Sequence, residues 1–167
     1  MKIVLEMFFV KIEGGEIRYK RYLEDITKHS SDPDEIVVGV IGKEFGESFT
    51  RRKEALKCVT HSTSWRYNDG AVMLTYLVLS DELDFGEKEV RKIEVGKLDF
   101  NCCANPPRSA EHDDIVEEAV IAHGIRHLGF LIQTDTNGVY KTVVGPSNLE
   151  IFKQIHIGVG GKMSAGQ

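Results

Sequence analysis

The chain has 167 residues, of which 41% are hydrophobic and 28% are charged, a composition typical of one globular domain with a substantial core. Its formal net charge of −5 at pH 7 argues against a general nucleic-acid binder or an anionic-membrane binder, because both need an electropositive surface. The N-terminal apolar run is short and is interrupted by Glu6, so we expect no membrane span, no secretion signal and a cytoplasmic location.

The first half of the chain predicts a hairpin followed by a strand and a helix. The polar stretch that contains Pro33 predicts a loop between the hairpin and the strand that follows it. The predicted elements are a strand at 2–12, a Gly14-Gly15 turn, a strand at 16–22, a buried strand at 35–41 ("EIVVGVI") and a helix at 48–57.

The second half predicts another hairpin and the longest helix. Asn68-Asp69-Gly70 is a turn between the strands "CVTHSTSWRY" and "AVMLTYLVL". Further on, the pattern predicts a strand in "EVRKIEVGKLDF", bulged at Gly96, a helix at 113–133, a strand in "VYKTVVG" and a helix in "PSNLEIFKQIHI". We therefore predict an α+β fold with a mixed, largely antiparallel sheet and two or three helices, in one domain at 1–157 with a flexible tail at 158–167.

Polar side chains are concentrated in the strand "CVTHSTSWRY". Strict alternation puts His61 on one face with the aromatic side chains of Trp65 and Tyr67, and we expect aromatic packing to half-bury this face. It puts Ser62, Ser64 and Arg66 on the other face. The plainer interpretation of the second face is a solvent-exposed strand. The functional interpretation is a polar groove in which the hydroxyl groups and the guanidinium bind a carboxylate or phosphate.

Two histidines interrupt the apolar stripe of the predicted helix at 113–133. His123 and His127 are four residues apart, a spacing that allows two imidazoles to share a metal ion, and Arg126 lies beside them. The glutamate of the HExxH motif is absent, and an arginine opposes a divalent cation. Cys58, Cys102 and Cys103 show neither zinc spacing nor a disulfide framework. We therefore expect no metal and no other cofactor.

Three functional hypotheses follow. The first is a binder of an anionic small molecule, with nucleotide- or phosphate-like chemistry. Its candidate site comprises His61, Ser62, Ser64, Arg66, His123, Arg126 and His127. The second is a hydrolase that uses His61, His123 and His127, with or without a divalent metal. The third is a protein-interaction module that presents Trp65, Arg66 and Tyr67, residue types that are enriched at binding hot spots; a homo-oligomer is also left open.

The run "VVGVIGKEFGESFTRRKEAL", followed by two strands, resembles the region of Nudix hydrolases in which a Gly-Glu-Ser/Thr turn leads into a helix. The resemblance covers residues 36–80 and depends on Gly46-Glu47-Ser48. It implies an α/β/α sandwich. In that family the helix supplies glutamates that bind a divalent metal. Only Glu47 of those positions is retained here, because Leu56, Val59 and Thr60 occupy the others. The resemblance therefore implies a relative of the fold that lacks the hydrolytic metal centre.

Overall fold

The computed structural model contains a five-stranded mixed sheet with a helix on each face. The strand order is β3-β4-β1-β2-β5, in which β1 and β4 are parallel and the other neighbours are antiparallel. The predicted α+β class, with its largely antiparallel sheet, is confirmed. The structure describes residues 1–46, 59–86, 89–98, 113–138, 141, 144, 148, 149, 152, 155–157 and 163–165.

The two predicted hairpins form the framework of this sheet. Strand β1 (Lys2–Glu13) turns through Gly14 and Gly15 into β2 (Glu16–Asp25). Strand β3 (Val59–Asn68) turns into β4 (Ala71–Leu79). In the second turn Asp69 and Gly70 both have positive φ angles, 47° and 77°, as a two-residue hairpin turn of type I′ requires. Strand β5 (Arg91–Glu94) is shorter than predicted, because a 3₁₀ turn (Val95–Lys97) follows it.

The prediction of a strand at 35–41 is wrong. These residues belong to helix α1 (Pro33–Phe45). The side chain of Asp32 accepts a hydrogen bond from the Asp34 amide at 2.9 Å, and Pro33 occupies the start of the helix, where its missing N–H costs nothing. Val37 and Ile41 are four residues apart and both are buried, which is helical rather than strand periodicity.

The two helices cover opposite faces of the sheet. Odd-numbered residues of β1, such as Met7 and Phe9, pack with Val37 of α1, and we call this side the α1 face. Even-numbered residues, such as Phe8, pack with Ile125 of helix α2 (Asp113–Thr134), and this side is the α2 face. The long predicted helix is thus confirmed, and the layers follow the order helix, sheet, helix.

The C-terminal part differs from the prediction in three described places. Lys141 and Val144 belong to the predicted strand "VYKTVVG" but are helical, so the prediction of a strand there is wrong. Residues Ile155–Ile157, predicted as the end of a helix, form strand β6 and pair antiparallel with β7 (Met163–Ala165). The strand β7 lies within the segment predicted as a tail. The predicted helix at 48–57 and the three cysteines lie outside the described residues.

Candidate functional site

A β-bulge interrupts strand β3 within the stretch that supplies most of the predicted site residues. Ser62 pairs with Tyr76 and Ser64 pairs with Thr75, so an extra residue of β3 lies opposite two consecutive residues of β4. The prediction of strict alternation is therefore wrong between Ser62 and Ser64. The side chains of His61, Ser62 and Ser64 lie outside the described residues, so their part in a site stays a prediction.

The guanidinium of Arg66 binds an internal carboxylate. Its Nη1 and Nη2 donate to Oε1 and Oε2 of Glu6 at 2.7 and 2.9 Å, and Nη1 also donates to the Thr75 hydroxyl at 3.0 Å. Only 13% of the Arg66 side chain is exposed. A bidentate arginine–carboxylate pair is a strong, directional interaction. The group that the sequence suggested as a ligand anchor is therefore engaged within the sheet.

Glu6 is the centre of this arrangement and is buried completely. The Thr75 hydroxyl donates to its Oε1 at 2.9 Å, and Arg21 Nε donates to its Oε2 at 2.8 Å. Burial raises the pKa of Glu6, but Arg66, Arg21 and Thr75 together outweigh burial and hold the pKa below its ordinary value. The predicted site does not include Glu6, although the sequence contains one signal for its role: Glu6 is the only charged residue in the run "IVLEMFFV".

A second buried carboxylate, Glu117 of α2, extends these hydrogen bonds to β2 and β5. It accepts hydrogen bonds from the Tyr19 hydroxyl at 3.0 Å, from Arg91 Nη1 at 2.8 Å and from Arg21 Nη1 at 3.4 Å. Burial and the Glu117 charge raise the pKa of Tyr19, so its hydroxyl remains a donor. Both carboxylates accept several donors, and Arg21 contacts both of them. We call these residues the Glu6 network: Glu6, Tyr19, Arg21, Arg66, Thr75, Arg91 and Glu117.

Aromatic side chains are exposed on the α1 face of the edge strand β3. Trp65 is 72% exposed and Tyr67 is 61% exposed, so the prediction that aromatic packing half-buries this face is wrong. Their partners in the register are Leu74 and Val72 of β4, and Val72 in turn pairs with Ile3 of β1. Those three side chains are partly exposed. We call this surface the apolar patch: Ile3, Trp65, Tyr67, Val72 and Leu74.

The two histidines of α2 lie together. The ring centroids of His123 and His127 are 4.2 Å apart and the ring planes are inclined at 47°. Both rings and the neighbouring Arg126 are half-buried. Residues of α2 approach β3, as a site formed by residues of both elements requires, yet Arg66 is bound to Glu6. In the described part of the chain, no group of three or more His, Cys, Asp or Glu side chains could hold a metal ion.

An open groove of about 450 Å³ lies beside α1. Its lining comes from the end of β2, the loop that follows and one side of α1, and includes Glu24, His29, Glu35 and Gly39. None of the predicted site residues lines this groove, so it gives no support to the predicted anion pocket.

No protein-family model matches the sequence, and no curated protein matches it. Glu47 and Ser48, on which the resemblance to Nudix hydrolases depends, lie outside the described residues, so that resemblance stays a prediction. Among the helices of the described residues, none is both long enough and apolar enough to cross a membrane.

Proposed function

We propose that the protein is a polypeptide-binding module that recognises an extended, apolar segment of a partner at the β3 edge and the apolar patch. The observation that carries the proposal is the exposure of Trp65 and Tyr67, at 72% and 61%, on an edge strand. Tryptophan and tyrosine are the residue types most often found as binding hot spots, because they bury a large area with little loss of conformational entropy.

The edge position suggests how a partner segment binds. Strand β3 pairs with β4 on one side, and no other described strand pairs with its outer edge. An extended peptide that joins this edge forms main-chain hydrogen bonds, and its alternate side chains project onto one face of the sheet. Apolar side chains at alternate positions would then contact Trp65 and Tyr67. We therefore expect a partner with a strand-like motif of alternating apolar residues.

The competing small-molecule hypothesis has less support from the geometry. It needs the Arg66 guanidinium to face a ligand, whereas that group makes a bidentate contact with Glu6. A ligand that displaced Glu6 would leave this buried carboxylate without one of its two arginines, which is costly. Anion binding and hydrolysis thus stay predictions, and polypeptide binding is the function that we propose.

A random-peptide display selection against the whole protein tests the proposal. We expect the selected peptides to share a period-two apolar pattern, and to bind Trp65→Ala and Tyr67→Ala at least tenfold more weakly than the wild type. Phe130→Ala is the matched control, because Phe130 is another exposed aromatic residue, 54% exposed, on α2. Trp65 is the only tryptophan in the chain, so binding should also shift the fluorescence emission of the wild type to shorter wavelength.

Two results would overturn the proposal. One is a selection that yields no peptide able to distinguish the wild type from Trp65→Ala. The other is a set of peptides that lose affinity for Phe130→Ala and keep it for Tyr67→Ala. Circular dichroism of each variant verifies that the fold is intact, and we expect this because both substituted β3 side chains are exposed.

A further inference from the structure

Like charges face each other across three neighbouring strands at the far end of the sheet. In the register, Lys11 pairs with Arg18, and Arg18 pairs with Lys92. Two residues further along, Glu13 pairs with Glu16, which pairs with Glu94. We call the first set the basic row (Lys11, Arg18, Lys92) and the second set the acidic row (Glu13, Glu16, Glu94).

Both rows lie on the α1 face. Lys11 and Glu13 continue the odd-numbered series of Met7 and Phe9 in β1, and side chains of paired strands at the same level share a face. Residues i and i+2 of a strand are roughly 7 Å apart, so the two rows form parallel stripes at that separation.

This arrangement costs stability within one molecule. Like charges directly opposite each other in a sheet are destabilising, and the two rows contain four such pairs. Exposed contacts offset part of the cost: Lys92 lies 3.7 Å from Glu16, and Lys97 lies 3.2 Å from Glu94. Pairs as exposed as these contribute little.

The remaining members of the rows have weaker internal compensation. Lys11 is near enough to Asp81 to lower its pKa, although burial raises that pKa overall. Lys11, Glu13 and Arg18 form no ion pair with any residue that the structure describes. The buried Nε of Arg18 also has no hydrogen-bond partner among those residues. The repulsion within the two rows is therefore not matched by ion pairs among the described residues. We infer that these charges contact another molecule.

We propose that the two rows are an isologous contact between two copies of this chain. A two-fold axis that runs parallel to the rows and midway between them sets the acidic row of one copy over the basic row of the other. In that arrangement Lys11 faces Glu13 of the second copy, Arg18 faces its Glu16, and Lys92 faces its Glu94.

Charge complementarity favours a second copy over an anionic ligand or a uniformly charged partner. The acidic row would repel an anion that approached the basic row, whereas a second copy satisfies both rows at once. Six side chains cover much less than the roughly 800 Å² per partner of a standard interface. We therefore expect a weak dimer that dissociates at high ionic strength.

Charge reversal tests the contact without touching the half-buried Arg18. We use Glu13→Lys/Glu94→Lys, which makes the surface mainly positive, and Lys11→Glu/Lys92→Glu, which makes it mainly negative. Sedimentation equilibrium at low ionic strength should show that the wild type self-associates and that each double variant associates at least tenfold more weakly. An equimolar mixture of the two variants should recover association, because each row again meets its opposite.

Lys28→Glu/Lys141→Glu is the matched control, because it reverses two exposed lysines outside the rows and should associate as the wild type does. A wild type that stays monomeric at every concentration in low salt would overturn the proposal. A mixture that fails to associate would do the same. The peptide-binding surface on β3 is unchanged in these variants, so failure of the dimer leaves the proposed function standing.

Discussion

Replacing Glu6 by glutamine should lower the free energy of unfolding substantially, although the two side chains are nearly the same size. Both oxygens of the buried carboxylate accept two donors: Oε1 from Arg66 Nη1 and the Thr75 hydroxyl, and Oε2 from Arg66 Nη2 and Arg21 Nε. A glutamine amide has one oxygen, so whichever orientation it adopts, its NH₂ group meets two donors. The side-chain volume hardly changes, so the effect isolates charge and hydrogen bonding.

The magnitude follows from the lost bonds. Two charge-assisted hydrogen bonds disappear, each of which contributes about 1.5–3 kcal/mol. The guanidinium groups of Arg66 and Arg21 also lose the negative charge that compensates their burial. Arg21 is 28% exposed and regains some hydration, which limits the penalty. We therefore expect the free energy of unfolding to fall by about 3–5 kcal/mol, the range for breaking a buried ion pair from one side.

Urea denaturation at pH 7, followed by far-UV circular dichroism, measures this difference. Glu16→Gln is the control, because the one ion pair of Glu16 within the described part of the chain is an exposed pair with Lys92 at 3.7 Å, and its loss should cost less than about 1 kcal/mol. If the free energy of unfolding of Glu6→Gln is within about 1 kcal/mol of that of the wild type, the inference that the charged hydrogen bonds of Glu6 stabilise the fold is wrong.

Three further predictions concern pH and helix α1. Because the pKa of Glu6 is lowered in the folded state, its stabilisation is present above the unfolded pKa and is lost as pH falls through the folded value; wild type should therefore lose more stability than Glu6→Gln in urea titrations below about pH 4. Asp32→Ala removes the cap of the Asp34 amide and should lower the free energy of unfolding by about 1 kcal/mol; an unchanged urea midpoint would contradict the capping role. Gly39→Ala should raise the same free energy by about 0.5–1 kcal/mol, because the added Cβ meets no atom within 4 Å and alanine favours the helix; a lower melting temperature would refute this.

The sequence predicts the local parts of this fold well. Both hairpins follow from turn residues that tolerate positive φ, such as Gly15 and Gly70, and α2 follows from a long helical stripe. The prediction of a strand in "EIVVGVI" is wrong because a short apolar run fits a buried strand as well as a helix. The signals for a helix start, Asp32 and Pro33, lie just before this run.

The Glu6 network could not be predicted in the same way, because it depends on pairing between distant segments. Arg66 lies 60 residues from Glu6 in the chain, and Arg21 reaches Glu117 across 96 residues. The parallel pairing of β1 with β4 that brings Glu6 beside Thr75 also has no local signal. A lone carboxylate in an apolar strand predicts that a partner exists, because an unpaired buried charge is too costly, but it does not identify that partner.

The Glu6 network also determines which way the aromatic residues of β3 point. Arg66 is held on the α2 face by its bidentate contact with Glu6, and neighbouring residues of a strand project to opposite faces. Trp65 and Tyr67, on either side of Arg66, must therefore project to the α1 face, where both are exposed. A slip of one residue between β3 and β4 would bury these aromatics and expose the arginine. The internal ion pair thus fixes the register that presents the proposed recognition surface, and this connects the most buried charge in the sheet to its most exposed aromatic side chains.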